Sequence, residues 1–167
     1  YEVLDSLVND LVAQNRKDII WSFFTRSIEE VVQRYSHYRP VQIHGQISMA
    51  ERGEAVRAFQ NDPDVMIFVG NPAAAGAGIT LTAAFDAVYL SFSNQAAHYL
   101  QSLDRIHRRG QNSNEVNYYL LVCRNTIEET EVIRLRGKEL NQHSLLSDSV
   151  KWPTSLDEAL KELGTHG

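Results

Sequence analysis

The densest chemistry in the sequence lies in Gln101-Ser102-Leu103-Asp104-Arg105-Ile106-His107-Arg108-Arg109-Gly110-Gln111. Three arginines, a histidine and an aspartate fall within these eleven residues. The chain as a whole is acidic, with a formal net charge of -5, so cations gathered here need a reason. Arginines near a helix C-terminus offset the negative end of the macrodipole. A guanidinium fork also pairs bidentately with phosphate oxygens. Both readings are open at this point. The spacing predicts a helix over 95–109, capped by Ser93 or Asn94 and stopped by Gly110. On it Gln101, Arg105 and Arg108 share one face, with Asp104 beside them. Ala96, Tyr99, Leu100, Leu103 and Ile106 fall on the opposite side. A solvated face more often mixes Glu with Lys, whereas this one gathers two guanidiniums and a carboxylate to hold them.

Such a helix needs a scaffold, and the sequence supplies one. Five apolar, β-branched or aromatic runs predict strands: Asp18 to Phe23, Val41 to His44, Val65 to Val69, Ala87 to Phe92 and Val116 to Cys123. The middle runs are nearly continuous in apolar residues, as strands buried on both faces should be. Leu4, Leu7, Val8 and Leu11 form one stripe, which predicts an amphipathic helix over the first sixteen residues. Ser48 and Glu51 make a capping box that opens a helix with Ala55, Val56 and Phe59 on one face, closed by Asn61-Asp62-Pro63. Thr126 to Glu129 is a second such box, leading a helix to about Asn141, and Ser155 to Glu158 opens a short final one. Strands alternating with helices mean an α/β fold with a parallel sheet flanked by helices.

At 167 residues the chain is the size of one ordinary domain. Cys123 is the only cysteine, so an internal disulfide and a cysteine-based zinc site are both excluded, and its apolar run predicts a buried, inert thiol. His37, His98, His143 and His166 show no ligand spacing, and His107 turns away from the Gln101 face; no intrinsic metal is expected. No apolar stretch approaches a membrane span, and Tyr1-Glu2-Val3 lacks the basic opening of a signal peptide. The absence of an initial Met reads as a piece of something longer. The acidic balance argues against coating nucleic acid by net charge, and leaves local contact through amides and a few arginines open.

Gln101-x-x-Asp104-Arg105-x-x-Arg108-x-Gly110-Gln111 resembles motif VI of superfamily 2 helicases, in the form typical of Snf-type DNA translocases. Other segments follow in order. Ile19 to Thr25 resembles motif IV, and His44-Gly45 with Arg52 resembles motif IVa. Gly70 to Thr82 resembles motif V, with departures. Asn71-Pro72-Ala73 stands where the family has a Ser/Thr pair and a basic residue, and Ala75 replaces the first of two adjacent glycines. Ser91 to Asn94 lacks the family's usual Trp, and Thr126 to Glu129 matches a capping box common in the family.

The resemblance implies a RecA-like second lobe over 1–146, followed by a linker and C-terminal helix over 147–167. It implies that Arg105 and Arg108 are fingers for the γ-phosphate of ATP, supported by Gln101, Asp104, Gly76, Gly78 and Thr80. It assigns Ser22, Thr25, Gly45, Arg52 and Asn71 to the backbone of double-stranded DNA. Neither a Gly-x-x-x-x-Gly-Lys-Ser/Thr loop nor an acidic Mg²⁺ box occurs. ATP and Mg²⁺ are therefore expected mainly on an N-terminal RecA-like lobe of the parent chain, and this chain alone is expected to be inactive. A strand-separating phage or restriction-type helicase lobe is one alternative. A non-catalytic nucleic-acid-binding or regulatory module is another. The short segments between motifs suggest a compact bacterial or phage protein, cytoplasmic and nucleoid-associated; a eukaryotic one would be nuclear.

Overall fold

The computed structural model of the chain describes residues 1–75, 79–91 and 116–121. All of them lie in one compact unit, Tyr1–Val132. The expected boundary at 146/147, the helices expected over 95–109, after Thr126 and after Ser155, and Cys123 lie outside the described residues.

The described elements are α1 (Glu2–Ala13), β1 (Asp18–Trp21), α2 (Thr25–Arg34), a single 3₁₀ turn (Ser36–Tyr38), β2 (Val41–Ile43), α3 (Met49–Asn61), β3 (Ile67–Gly70), β4 (Asp86–Tyr89) and β5 (Asn117–Leu120). The five strands form one sheet in the order β2-β3-β1-β4-β5, and every pairing is parallel. The sheet is thus the expected parallel one, with β1 at its centre. From β1 the chain runs to the edge at β2, then returns through β3 and past β1 to β4 and β5. Right-handed crossovers then require α2 and α3 to lie on opposite faces, and the packing agrees.

On one face, Leu4 and Val8 of α1 and Ile28, Val31 and Tyr35 of the α2 segment pack on Ile20, Ile67, Val69 and Val88. On the other, Phe59 of α3 meets the Phe68 ring edge-on at 5.5 Å, and Trp21 meets it at 6.0 Å. Strand residues alternate between these faces, so Ile20 and Trp21 serve different helices. Each such side chain withdrawn from water contributes roughly 1.5–3 kcal/mol. Beyond the apolar contacts, α1 and α2 are tied by Asp5, which accepts from Arg34 Nε at 2.6 Å and from the Tyr35 hydroxyl at 2.7 Å. These bonds hold the Asp5 carboxyl well below the usual carboxylate range.

Several expectations shift. The first strand stops at Trp21 instead of Phe23, because Thr25 already begins α2. That helix was not anticipated, since its N-cap is Phe24 and makes no side-chain capping bond. In α3 the Ser48–Glu51 capping box forms reciprocally. Of Ala55, Val56 and Phe59, however, only Phe59 is fully buried, since α3 covers the sheet beside its edge strand. Asp62 ends the helix in an extended conformation, as a residue before proline prefers.

Candidate functional site at the carboxyl ends of the strands

Because all strands are parallel, their carboxyl ends share one edge of the sheet, the edge where open α/β folds place their ligands. Backbone pairing continues one residue past the strands. Asn71 N–H donates to Ile43 O, Ser22 N–H to Gly70 O and Leu90 N–H to Trp21 O, each at 2.9 Å. Gly70 sits in a tight place: a Cβ there would lie 3.0 Å from Phe68 Cε1 and 3.1 Å from Trp21 Cζ3.

Past this point the side chains take over. Ser22 is fully buried. Its Oγ lies 3.3 Å from Ser91 Oγ and accepts from Phe24 N–H at 3.3 Å. Ser91 Oγ in turn accepts from Phe23 N–H at 2.9 Å. Asn71 donates from Nδ2 to Phe23 O at 3.2 Å, and its Oδ1 caps the turn 72–75 by accepting from Ala73 and Ala74 N–H at 2.9 and 3.4 Å. Arg52 donates to four carbonyls: Nε to Ile47 at 3.0 Å, Nη1 to Ala74 at 2.8 Å, and Nη2 to His44 at 3.2 Å and Gly45 at 3.4 Å.

The residues expected at the DNA backbone therefore fall into two groups. Ser22, Asn71 and Arg52 are brought together in the framework of this edge, with their polar atoms engaged inside the chain. Thr25 sits half-buried at the first position of α2, and Gly45 is exposed in the turn after β2. A Cβ built on Gly45 meets nothing within 4 Å, so packing within the chain does not call for glycine there. Thr80 is half-buried in the segment leading to Leu81. That segment is anchored to α3 through Gln60, which donates to Thr82 Oγ1 at 3.0 Å and accepts from Ala83 N–H at 2.9 Å. Gly76, Gly78, Gln101, Asp104, Arg105 and Arg108 lie outside the described residues. Two large apolar side chains face solvent where helices begin at this edge, Phe24 at 62% and Met49 at 80% exposure. Pattern reading did not single them out, because exposure of one residue at a helix start has no periodic signal.

The opposite edge also holds groups that the sequence reading passed over. Asp18 and Asp86 are register partners on β1 and β4, both fully buried. Arg16 closes on Asp86 in a two-pronged pair, Nε to Oδ2 at 2.6 Å and Nη2 to Oδ1 at 3.0 Å, and Asn117 Nδ2 adds a bond at 2.9 Å. Among the described residues, Asp18 has no hydrogen-bond partner for either carboxylate oxygen. Burial first, and then the Asp86 charge, push its carboxyl up to about 8, with Arg16 pulling the other way. Lys17 caps the end of α3 by donating to Phe59 O at 2.5 Å and Asp62 O at 2.6 Å, and burial lowers its ammonium pKa. Among the described residues no group of three His, Cys, Asp or Glu side chains could hold a metal ion. Among them, too, no helix is long and apolar enough to cross a membrane.

Comparison with known proteins gives a consistent set of likenesses. Residues 1–110 match the helicase conserved C-terminal domain. The human chromatin-remodeling ATPase INO80 is 33% identical over 92% of this chain, and the match covers 10% of that protein. Its counterpart from Arabidopsis thaliana is 30% identical over 87% of this chain and again 10% of the relative. Among solved structures, the C-terminal part of the Fun30 ATPase domain superposes with a TM-score of 0.71 at 27% identity, covering 94% of this chain and 46% of the other. The chain thus spans about a tenth of the length of these two curated relatives.

Proposed function

The chain belongs to the helicase conserved C-terminal domain family, in its superfamily 2, Snf-type form, and from that premise we infer that it is the second motor lobe of an ATP-dependent DNA translocase. The observation that carries this reading is the likeness to INO80 ATPases over 92% of the chain. An N-terminal RecA-like lobe of the parent protein holds ATP and Mg²⁺, and this lobe completes the cleft. Arg105 and Arg108 reach the γ-phosphate, where guanidinium charge offsets the charge spread over the equatorial oxygens. Gln101 and Asp104 hold the two arginines, and Gly76, Gly78 and Thr80 join the cleft to the DNA side. Cleft closure driven by ATP binding then shifts a hinged, two-state pair of lobes.

Double-stranded DNA lies against the carboxyl edge of the sheet. Gly45 and the backbone after β1 and β2 meet its phosphates, and Thr25 flanks them. Open space at the Gly45 Cα supports this placement, since close backbone approach is what glycine permits. The relatives are eukaryotic chromatin-remodeling ATPases, which supports a nuclear parent acting on DNA in chromatin over a bacterial or phage motor.

The test is ATP hydrolysis by the full parent protein with and without duplex DNA. Duplex should stimulate the wild type, and Arg105→Ala should lower the rate by roughly 10³-fold or more while ATP still binds. This chain alone should not turn ATP over. Hydrolysis indifferent to Arg105→Ala would remove the finger assignment and bring the binding-module reading forward.

A further inference from the structure

The polar contacts at the carboxyl edge form one unbroken path across four strands. Ser91, at the end of β4, binds Ser22 and Phe23 at the end of β1. Phe23 O binds Asn71 at the end of β3, and Asn71 caps the turn 72–75. Ala74 O of that turn binds Arg52, which also holds His44 O and Gly45 O at the end of β2. We propose that Asn71 and Arg52 are positioning residues that lock the loops after β1, β2 and β3 into one frame, through which duplex contact at Gly45 is transmitted to Ser91 and the chain beyond it. This rests on the motor reading above, since it is the duplex contact that the frame transmits.

Two features argue for a frame over direct DNA contacts. A bidentate grip on phosphate takes two free N–H groups of one guanidinium. Arg52 has five N–H donors and makes four contacts to carbonyl oxygens. Asn71 uses its two terminal atoms in opposite directions, the amide toward Phe23 and the oxygen toward the turn. A serine or threonine hydroxyl places donor and acceptors on a single atom and cannot span both. The Asn at this position, a departure from the family's Ser/Thr pattern, thus gains a physical role.

The experiment is a titration of duplex DNA into the full parent protein, read as ATP hydrolysis and as binding at several salt concentrations. The proteins compared are the wild type, Arg52→Gln and Asn71→Asp, with melting curves for each. Asn71→Asp keeps the turn cap and replaces the donor to Phe23 O with a carboxylate oxygen, so it covers the case in which Arg52→Gln does not fold. Both variants should lower the duplex-stimulated rate by roughly tenfold or more, while the half-saturating duplex concentration and the salt slope stay at wild-type values. A weaker affinity with a salt slope reduced by about one unit would make Arg52 a phosphate ligand and overturn the frame. Unchanged stimulation in folded variants would overturn it as well. A wild type indifferent to duplex would instead refute the motor reading, and the frame's coupling role with it.

Discussion

The two edges of the sheet differ in their residues and in how those residues are used. At the amino edge the charges are inside: Asp18 and Asp86 are fully buried, Arg16 closes on one of them, and Lys17 seals the end of α3. At the carboxyl edge, side chains hold the backbone from within and leave Gly45, Phe24 and Met49 to solvent. The amino edge fixes β1 against β4. The carboxyl edge uses its hydrogen bonds to fix shape, and what faces outward is the Gly45 backbone with the Phe24 and Met49 side chains. Buried charge thus marks the amino ends of β1 and β4, and a framed backbone marks the carboxyl edge.

Substitutions can test that division. At the amino edge, Arg16→Met strands the Asp86 carboxylate next to Asp18, and removing one partner of a buried pair should cost about 3 kcal/mol, read as a lower midpoint in urea. Asp18 adds a pH signature. Its folded pKa lies above the ordinary value of ~3.9, so its contribution is fully present below pH ~4 and is lost as pH rises toward about 8. Stability of the wild type should therefore fall across that window relative to Asp18→Asn, by roughly 2 kcal/mol once relaxation of so close a pair is allowed for. Parallel pH profiles for the two proteins would contradict it.

At the carboxyl edge the two glycines should separate. Gly70→Ala forces a methyl against Phe68 and Trp21 and should lower stability by about 1–2 kcal/mol, seen as a reduced melting temperature. Gly45→Ala meets nothing in the chain and should stay within about 0.5 kcal/mol of wild type. In the parent protein the same change should weaken duplex binding, which a filter or anisotropy assay would detect. If Gly45→Ala destabilised the fold as much as Gly70→Ala, the open character of this edge would be wrong.

Much of the scaffold could be read directly from the residues. Strands buried on both faces are apolar without alternation, and the runs at Val65 and Ala87 said so. The stripe of α1 and the Ser48–Glu51 box are local signals, and both were readable. α2 escaped because its start has no capping side chain and only Ile28 and Val31 are fully buried along it. The site was less readable than the scaffold. That Gly45 and Asn71 lie at strand ends follows from pattern, but what their neighbours do with them does not. Asn71 reaches Phe23, Arg52 reaches Ala74 and Asp18 faces Asp86 only once the sheet order is set. No local window contains such pairs.

The central position of β1 has a consequence during synthesis. β1 is made before either of its partners, since β3 and β4 begin only at Ile67 and Asp86. At ~5–20 residues per second the wait is on the order of seconds. Through that interval Ile19, Ile20 and Trp21 lack the strands they pair with in the folded lobe, and α1 and the nascent α2 can shield one side of them. A cell making this lobe must therefore keep this apolar segment covered until β3 and β4 have left the ribosome.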